Sequence, residues 1–314
     1  MLDKGHSIAE YRIVAPLAEN PLYETYQVSG ASTDSAKLLL FTPGKLGGKS
    51  ERRVFLEQAR QLLKHDFAGH GNLLAAAATE EHVYCVYPLL RGFPLAERLE
   101  QPLPIRTALE IVYRVGLLLC DSHQAGFWHG ALSPATIYID GDGVALDQFA
   151  LSSLVRLDFH SGVDPRYCSP ELVRGEELGT PADLYSLGLV LYRLLTGTVP
   201  FAGDDPFATA MRHVQERPAA LPVQLTLLQP LLDGLLHPVI AERWSAVRLT
   251  EQLERLLQSS ELDDLQLPEK LPVEQPLETS DTLVPALEGE PKNFHAETDL
   301  SLRIQQRLRE HAAT

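Results

Sequence analysis

The chain has 314 residues, 45% of them hydrophobic, with 22 prolines set mostly between apolar runs. That is enough for one large domain or two lobes, and it excludes collagen, coiled coil and wholesale disorder. Lys and Arg number 27 against 42 Asp and Glu, a net charge of −15, which repels a phosphate backbone and leaves proteins or small molecules as the expected partners rather than nucleic acid.

In chain order, residues 1–10 read as an N-terminal extension. Residues 11–88 carry short β-like runs (Tyr11 to Val14, Thr25 to Val28, Lys37 to Phe41, His82 to Tyr87) and one helix in which Phe55, Ala59 and Leu62 recur at i, i+4, i+7. Over 89–258 the pattern turns helical, with Ala108, Val112, Val115 and Leu119 forming one stripe and Leu184, Leu187, Leu191 and Leu194 another. Residues 259–297 are acidic and proline-rich without an apolar period, which predicts a linker. Over 298–314, Leu300, Ile304 and Leu308 lie at i, i+4, i+8 beside Arg303, Arg307 and Arg309, which predicts a short amphipathic helix able to dock on a protein surface.

Cys85, Cys120 and Cys168 are few, scattered and set among apolar neighbours, so neither a disulfide framework nor a metal cluster is expected. No apolar run approaches ~18–20 residues and the start lacks a signal-peptide core. The expectation is a protein of the reducing cytoplasm with no membrane span.

The run FWHGALSPATIYIDGDGVALDQFALS (Phe127 to Ser152) resembles the catalytic core of protein kinases, which reads H-R-D-L-K-P-x-N followed by a hairpin and D-F-G-L. RYCSPE (Arg166 to Glu171) is similar to the A-P-E segment. ADLYSLGLVLYRLLTGTVPF (Ala182 to Phe201) is similar to the D-x-W-S-x-G helix, and HPVIAERWSA (His237 to Ala246) to the late segment bearing the arginine partner of the A-P-E glutamate. The resemblance spans about Tyr11 to Leu257 and looks closest to bacterial Ser/Thr kinases of the eukaryotic-like type. It implies an α+β, bilobal kinase-like fold: a small β-rich N lobe with one helix and a larger helical C lobe.

Phosphoryl transfer needs a clamped triphosphate, Mg²⁺ held against it and an acceptor hydroxyl beside a carboxylate. Set on the family frame, Ala18, Asn20 and Tyr23 take the places of the phosphate-loop glycines, with Pro21 removing a donor, so Leu17 to Tyr26 is expected to be a plain hairpin. By gap length the strand lysine falls on Leu39, which puts Lys37 at the adenine-contacting place; a different gap makes Lys37 the phosphate lysine. The helix glutamate falls on Gln58, the catalytic aspartate on Ala131, the two metal ligands on Thr136 and Gln148, and the H-R-D arginine on Gly130. Asp147 is adjacent, but consecutive side chains in an extended segment point to opposite faces.

What the resemblance retains belongs to packing. His129 and Phe149 fall in the interlobe core, Asp183 at the acceptor for the catalytic-loop backbone, and Glu171 and Arg243 at a buried ion pair. Asp164 stands at the activation-segment threonine, so no phosphate switch is expected there. The expected function is therefore a non-enzymatic pseudokinase, a protein-binding scaffold or allosteric regulator in bacterial signalling. It would use no cofactor, bind ATP and Mg²⁺ weakly or not at all, and dock a protein partner through Leu300, Ile304, Leu308, Arg303 and Arg307. The alternative is an atypical Ser/Thr kinase or nucleotide-binding module in which Lys37 and Asp147 or Asp142 replace the usual groups. A third reading is an interaction module that only resembles a kinase.

Overall fold

The computed structural model describes residues 1–30, 33–42, 46, 48–79, 81–99, 103–141, 143–155, 157, 162–263 and 265. The N lobe takes β1 (Ser7–Ile8), β2 (Tyr11–Glu19), β3 (Tyr23–Gly30), β4 (Thr33–Phe41), α1 (Lys49–Leu62), β5 (Ala75–Ala78) and β6 (Val83–Pro88). Its strands pair antiparallel in the order β1-β2-β3-β4-β6-β5. Alternation along the strands divides the side chains between two apolar clusters. Tyr26, Val28, Leu38 and Val86 meet Ile8, Tyr11 and Ile13 of the first strands. Leu39, Phe41, Cys85 and Tyr87 share the other cluster with Phe55, Ala59 and Leu62 of α1. At the start of that helix the Glu51 carboxylate accepts from the Gly48 N–H at 3.1 Å, satisfying one donor the helix leaves free.

The chain enters the C lobe through β7 (Phe93–Pro94) and a short 3₁₀ turn, then forms α2 (Ile105–Gln124). A second sheet, in the order β7-β8-β9, adds β8 (Ile137–Asp140) and β9 (Gly143–Leu146). Next come α3 (Leu151–Leu154), α4 (Pro170–Arg174), α5 (Thr180–Thr196), α6 (Pro206–Gln215), α7 (Gln229–Leu235) and α8 (Ala246–Gln258). Pro181 sits in the first turn of α5 and Gly197 closes it in the left-handed region, the asymmetry expected of helix ends. Val112, Val115 and Leu119 of α2 pack with Leu187 and Leu191 of α5 and with Leu249 and Leu253 of α8, all fully buried.

Past Gln258 the chain stays on the lobe for several residues. Leu262 is buried, and the Arg106 guanidinium donates to the Leu257 carbonyl at 2.8 Å and to Asp263 at 2.7 Å. The rest of the linker, the helix expected over 298–314 and Asp142 lie outside the described residues. Among the described residues, no helix is long and apolar enough to cross a membrane and no group of His, Cys, Asp or Glu could hold a metal ion.

Candidate active site

The cleft between the lobes is framed above by β2, β3 and β4 and below by the segment Phe127–Thr136 and the turn after β9. Lys37 sits on β4, in register with Gln27 of β3 and Tyr87 of β6. Its ammonium is ion-paired with Asp147, and both residues are buried, at 6% and 4% exposure. Leu39, two residues along the same face, is wholly buried in the cluster that holds Phe55 and Phe149. The cation of this strand is therefore directed at Asp147 and not at α1. Gln58 is exposed on α1, beside the cavity that also touches Val54 and Trp128.

Asp147 faces the cleft, which corrects the expectation from simple alternation. Gln148 has φ of 50° and Ala150 of 57°, so the backbone leaves the extended state immediately after Asp147 and the alternation rule lapses. Both side chains then address the N lobe. The Tyr23 hydroxyl donates to Gln148 Oε1 at 2.9 Å, and burial pushes the Tyr23 phenol up to about 12, so it stays a donor.

The hairpin in place of a glycine loop is closed by one side chain. Asn20 Oδ1 accepts from the Leu22 N–H at 2.8 Å and from the Tyr23 N–H at 2.9 Å, an Asx turn that occupies the amides of the tip. Ala18 pairs with Thr25 in the β2–β3 ladder. Gly162 lies against the tip so closely that a Cβ there would be 2.8 Å from Asn20 Cβ.

Below the cleft, Asp183 organises the catalytic-loop backbone. It accepts from the His129 N–H and the Gly130 N–H, each at 2.8 Å, and from His123 Nε2 at 2.9 Å. Burial pushes its carboxyl up, but the hydrogen bonds from His123 and the Gly130 N–H and the neighbouring imidazoles of His123 and His129 outweigh burial and hold it below the ordinary range. His129 is wholly buried. Its Nε2 donates to the Asp147 carbonyl at 2.9 Å and its Nδ1 accepts from the Ala131 N–H at 3.3 Å, one neutral tautomer that satisfies both ring nitrogens. Burial lowers its pKa, in keeping with that neutral form.

Thr136 Oγ1 accepts from the Ser133 N–H at 3.0 Å, and the Thr136 carbonyl accepts from the Asp147 N–H at 2.8 Å. Phe149 packs edge-on to His70, ring centroids 4.3 Å apart, with His129 at 6.3 Å. Away from the cleft, Arg243 Nη1 donates to Glu171 at 2.5 Å and to the Pro181 carbonyl at 2.9 Å, and both members of the pair are buried. Sequence reasoning missed His70, Tyr23 as a latch and Ser152, whose hydroxyl donates to the His129 carbonyl at 3.0 Å. The one signal for His70 was a polar His-Gly-Asn run ahead of an apolar one.

Comparison with known proteins gives a consistent picture. A family model described as the protein kinase domain matches residues 59–253. The serine/threonine-protein kinase PknB of Mycolicibacterium smegmatis is 32% identical over 169 residues, which are 51% of this chain and 27% of that protein. The serine/threonine-protein kinase pkn2 of Myxococcus xanthus is 28% identical over 249 residues, 73% of this chain and 29% of that protein. The chain thus spans under a third of the length of either relative. Among solved structures, the Mycobacterium tuberculosis PknI kinase domain superposes with a TM-score of 0.65 at 20% identity, covering 81% of this chain and 99% of that one, which shows the shared fold. These matches overturn the expectation of a non-enzyme: the relatives are serine/threonine-protein kinases, and the cleft retains a buried lysine–aspartate pair despite its altered motif positions.

Proposed function

The chain belongs to the protein kinase domain family, and from that premise we propose that it is an atypical serine/threonine protein kinase in which Lys37 and Asp147 address the nucleotide phosphates. The observation that carries this reading is the buried Lys37–Asp147 pair in the interlobe cleft. Withdrawing two charges from water costs several kcal/mol per ion, and apolar side chains already fill the neighbouring positions Leu39 and Tyr87. An ammonium and a carboxylate are the two charge types that a phosphate chain with its cation requires.

Magnesium, arriving with the nucleotide, supplies neutralisation of phosphate charge, and Asp147 is the carboxylate that would hold it. Lys37 offers its remaining ammonium hydrogens to phosphate oxygens. Asp183 and His129 fix the backbone on which an acceptor hydroxyl must rest. Position 131 is alanine, so with no side-chain base the acceptor proton passes to an oxygen of the transferred phosphoryl group. In a loose, largely dissociative transition state the cost of that loss is about 10²–10⁴ in rate, which predicts slow turnover instead of none. Nucleotide enters once the hairpin lifts, releasing Tyr23 from Gln148 and the tip from Gly162.

Thermal unfolding with and without ATP and Mg²⁺, run beside incorporation of labelled γ-phosphate into a generic Ser/Thr peptide, tests this. Saturation at about 100 Kd stabilises the fold by about 2.7 kcal/mol. Slow incorporation that disappears in Asp147→Asn and persists at reduced level in Lys37→Arg is the expected result. Incorporation no faster than that of Asp147→Asn, with no thermal shift, would overturn it.

A further inference from the structure

A cavity of about 550 Å³ opens outside the cleft, between α1, the loop after α2, α3 and the residues following α4. Val54, Leu154 and Leu178 supply its apolar wall, and Val54 is 53% exposed although it sits on a helix of the core. Glu176 and Glu177 stand at its rim, both exposed. Trp128 lines it as well, and its indole N–H is buried with no hydrogen-bond acceptor among the described residues. The walls therefore ask for three things together: aliphatic side chains, positive charge and a backbone or amide oxygen.

From the structure we infer that residues 300–308 of this same chain dock into this cavity. Leu300, Ile304 and Leu308 match the apolar wall at a spacing that lays them on one helical face. The run Ser301 to Arg309 carries Arg303, Arg307 and Arg309 without an acid, in a chain of net charge −15, so it is the segment complementary to Glu176 and Glu177. Gln305 and Gln306 supply amide oxygens within reach of an indole donor. The last described residue is Leu265, and Leu300 follows it by 35 positions in sequence, so the segment is covalently tethered to the lobe that carries the cavity. A covalent tether raises the segment's effective concentration at the cavity of its own molecule, which favours that cavity over that of a second copy. Seated between α1 and α3, the segment fixes α1 relative to the catalytic loop.

The test is hydrogen exchange on the full chain, followed over residues 300–308, with Trp128 emission as a second readout. Wild type is expected to exchange these amides at least about tenfold more slowly than a Glu176→Lys/Glu177→Lys variant or an Arg303→Glu/Arg307→Glu variant, at every protein concentration. Combining the two reversals restores both the protection and the Trp128 emission. Unprotected amides in wild type overturn the proposal. So does protection that grows with protein concentration, which identifies a second copy as the occupant, or a combined variant that fails to recover.

Discussion

Ser152 occupies the space that any side chain at position 130 would need: a Cβ on Gly130 would lie 2.1 Å from Ser152 Oγ and 2.3 Å from its Cβ. Gly130 also has φ of 76°, a conformation that costs an L-residue about 1–2 kcal/mol. The glycine in the catalytic loop and the serine of α3 are thus one fitted contact, closed by the bond from Ser152 to the His129 carbonyl. Gly130→Ala should lower stability by about 2–3 kcal/mol, combining backbone strain with displacement of α3. Adding Ser152→Gly should recover the steric part and leave the strain together with the loss, about 1 kcal/mol, of the Ser152 hydrogen bond to the His129 carbonyl. Equal melting temperatures for wild type and Gly130→Ala would show that α3 yields freely.

The Glu171–Arg243 pair makes a separate prediction. Arg243 is also held by the Pro181 and His237 carbonyls and stacks over Tyr185 at 5.0 Å. Truncating it to alanine leaves Glu171 charged and unpartnered at 2% exposure, which should cost about 3–5 kcal/mol in denaturant unfolding. Glu171→Gln, which keeps an acceptor, should cost clearly less. Similar losses for the two variants would argue that packing on Tyr185, and not charge, holds the segment.

Acid should weaken the fold in a defined window. Burial holds His70 down to about 4 and His213 down to about 4, from 6.5 in the open chain. Between these values the unfolded chain binds protons that the native state does not, so stability is complete above roughly pH 6.5 and is lost as pH falls towards 4. Each histidine contributes on the order of 3 kcal/mol to that loss at its lower end. Melting temperature followed against pH should show the decline in wild type and a shallower one in His70→Gln. Parallel curves would exclude His70 as a source.

Tyr23→Phe removes the one hydroxyl that ties the hairpin to Gln148. Stability should fall by about 1 kcal/mol. Nucleotide affinity should rise, because the hairpin no longer has to break that bond to open. A stability loss with unchanged affinity, read by titration of ATP, would mean that the hairpin does not gate the cleft.

The fold was legible because its signals are dense and local. The Phe55, Ala59, Leu62 period gives α1, and the apolar stripe of α2 and the Pro-Glu and Asp-Leu-Tyr-Ser segments fix the C lobe in order. The candidate site was legible only as a frame. Which way Asp147 faces depends on φ at Gln148, a left-handed residue that no local pattern announces, since glutamine is not a type that favours it. The fit of Gly130 to Ser152 and the reach of Tyr23 to Gln148 are long-range contacts, separated by 22 and 125 positions in sequence. Reading each motif position against its family equivalent reports which chemical group is missing. The alternative reading named Lys37 and Asp147 as the replacing groups; that the two side chains meet as a buried ion pair is a contact across 110 positions that no motif position reports.

One further relationship concerns mechanics. The loop that follows α1 is stitched to the C lobe, since the Gly71 N–H donates to the Leu146 carbonyl at 2.6 Å and the Leu146 N–H donates to the Gly69 carbonyl at 2.9 Å. The C-terminal end of α1 is thereby tied to the lower lobe, while near its N-terminal end Arg52 donates to the Thr79 carbonyl of the upper lobe at 2.5 Å. The helix is about 21 Å long, so a rotation of about 5° about its Leu62 end would carry the Lys49 end by roughly 2 Å and leave Leu62 almost still. Opening of the cleft should therefore be largest at the Lys49 end of α1, and a spectroscopic label there is expected to report it where one beside Leu62 stays silent.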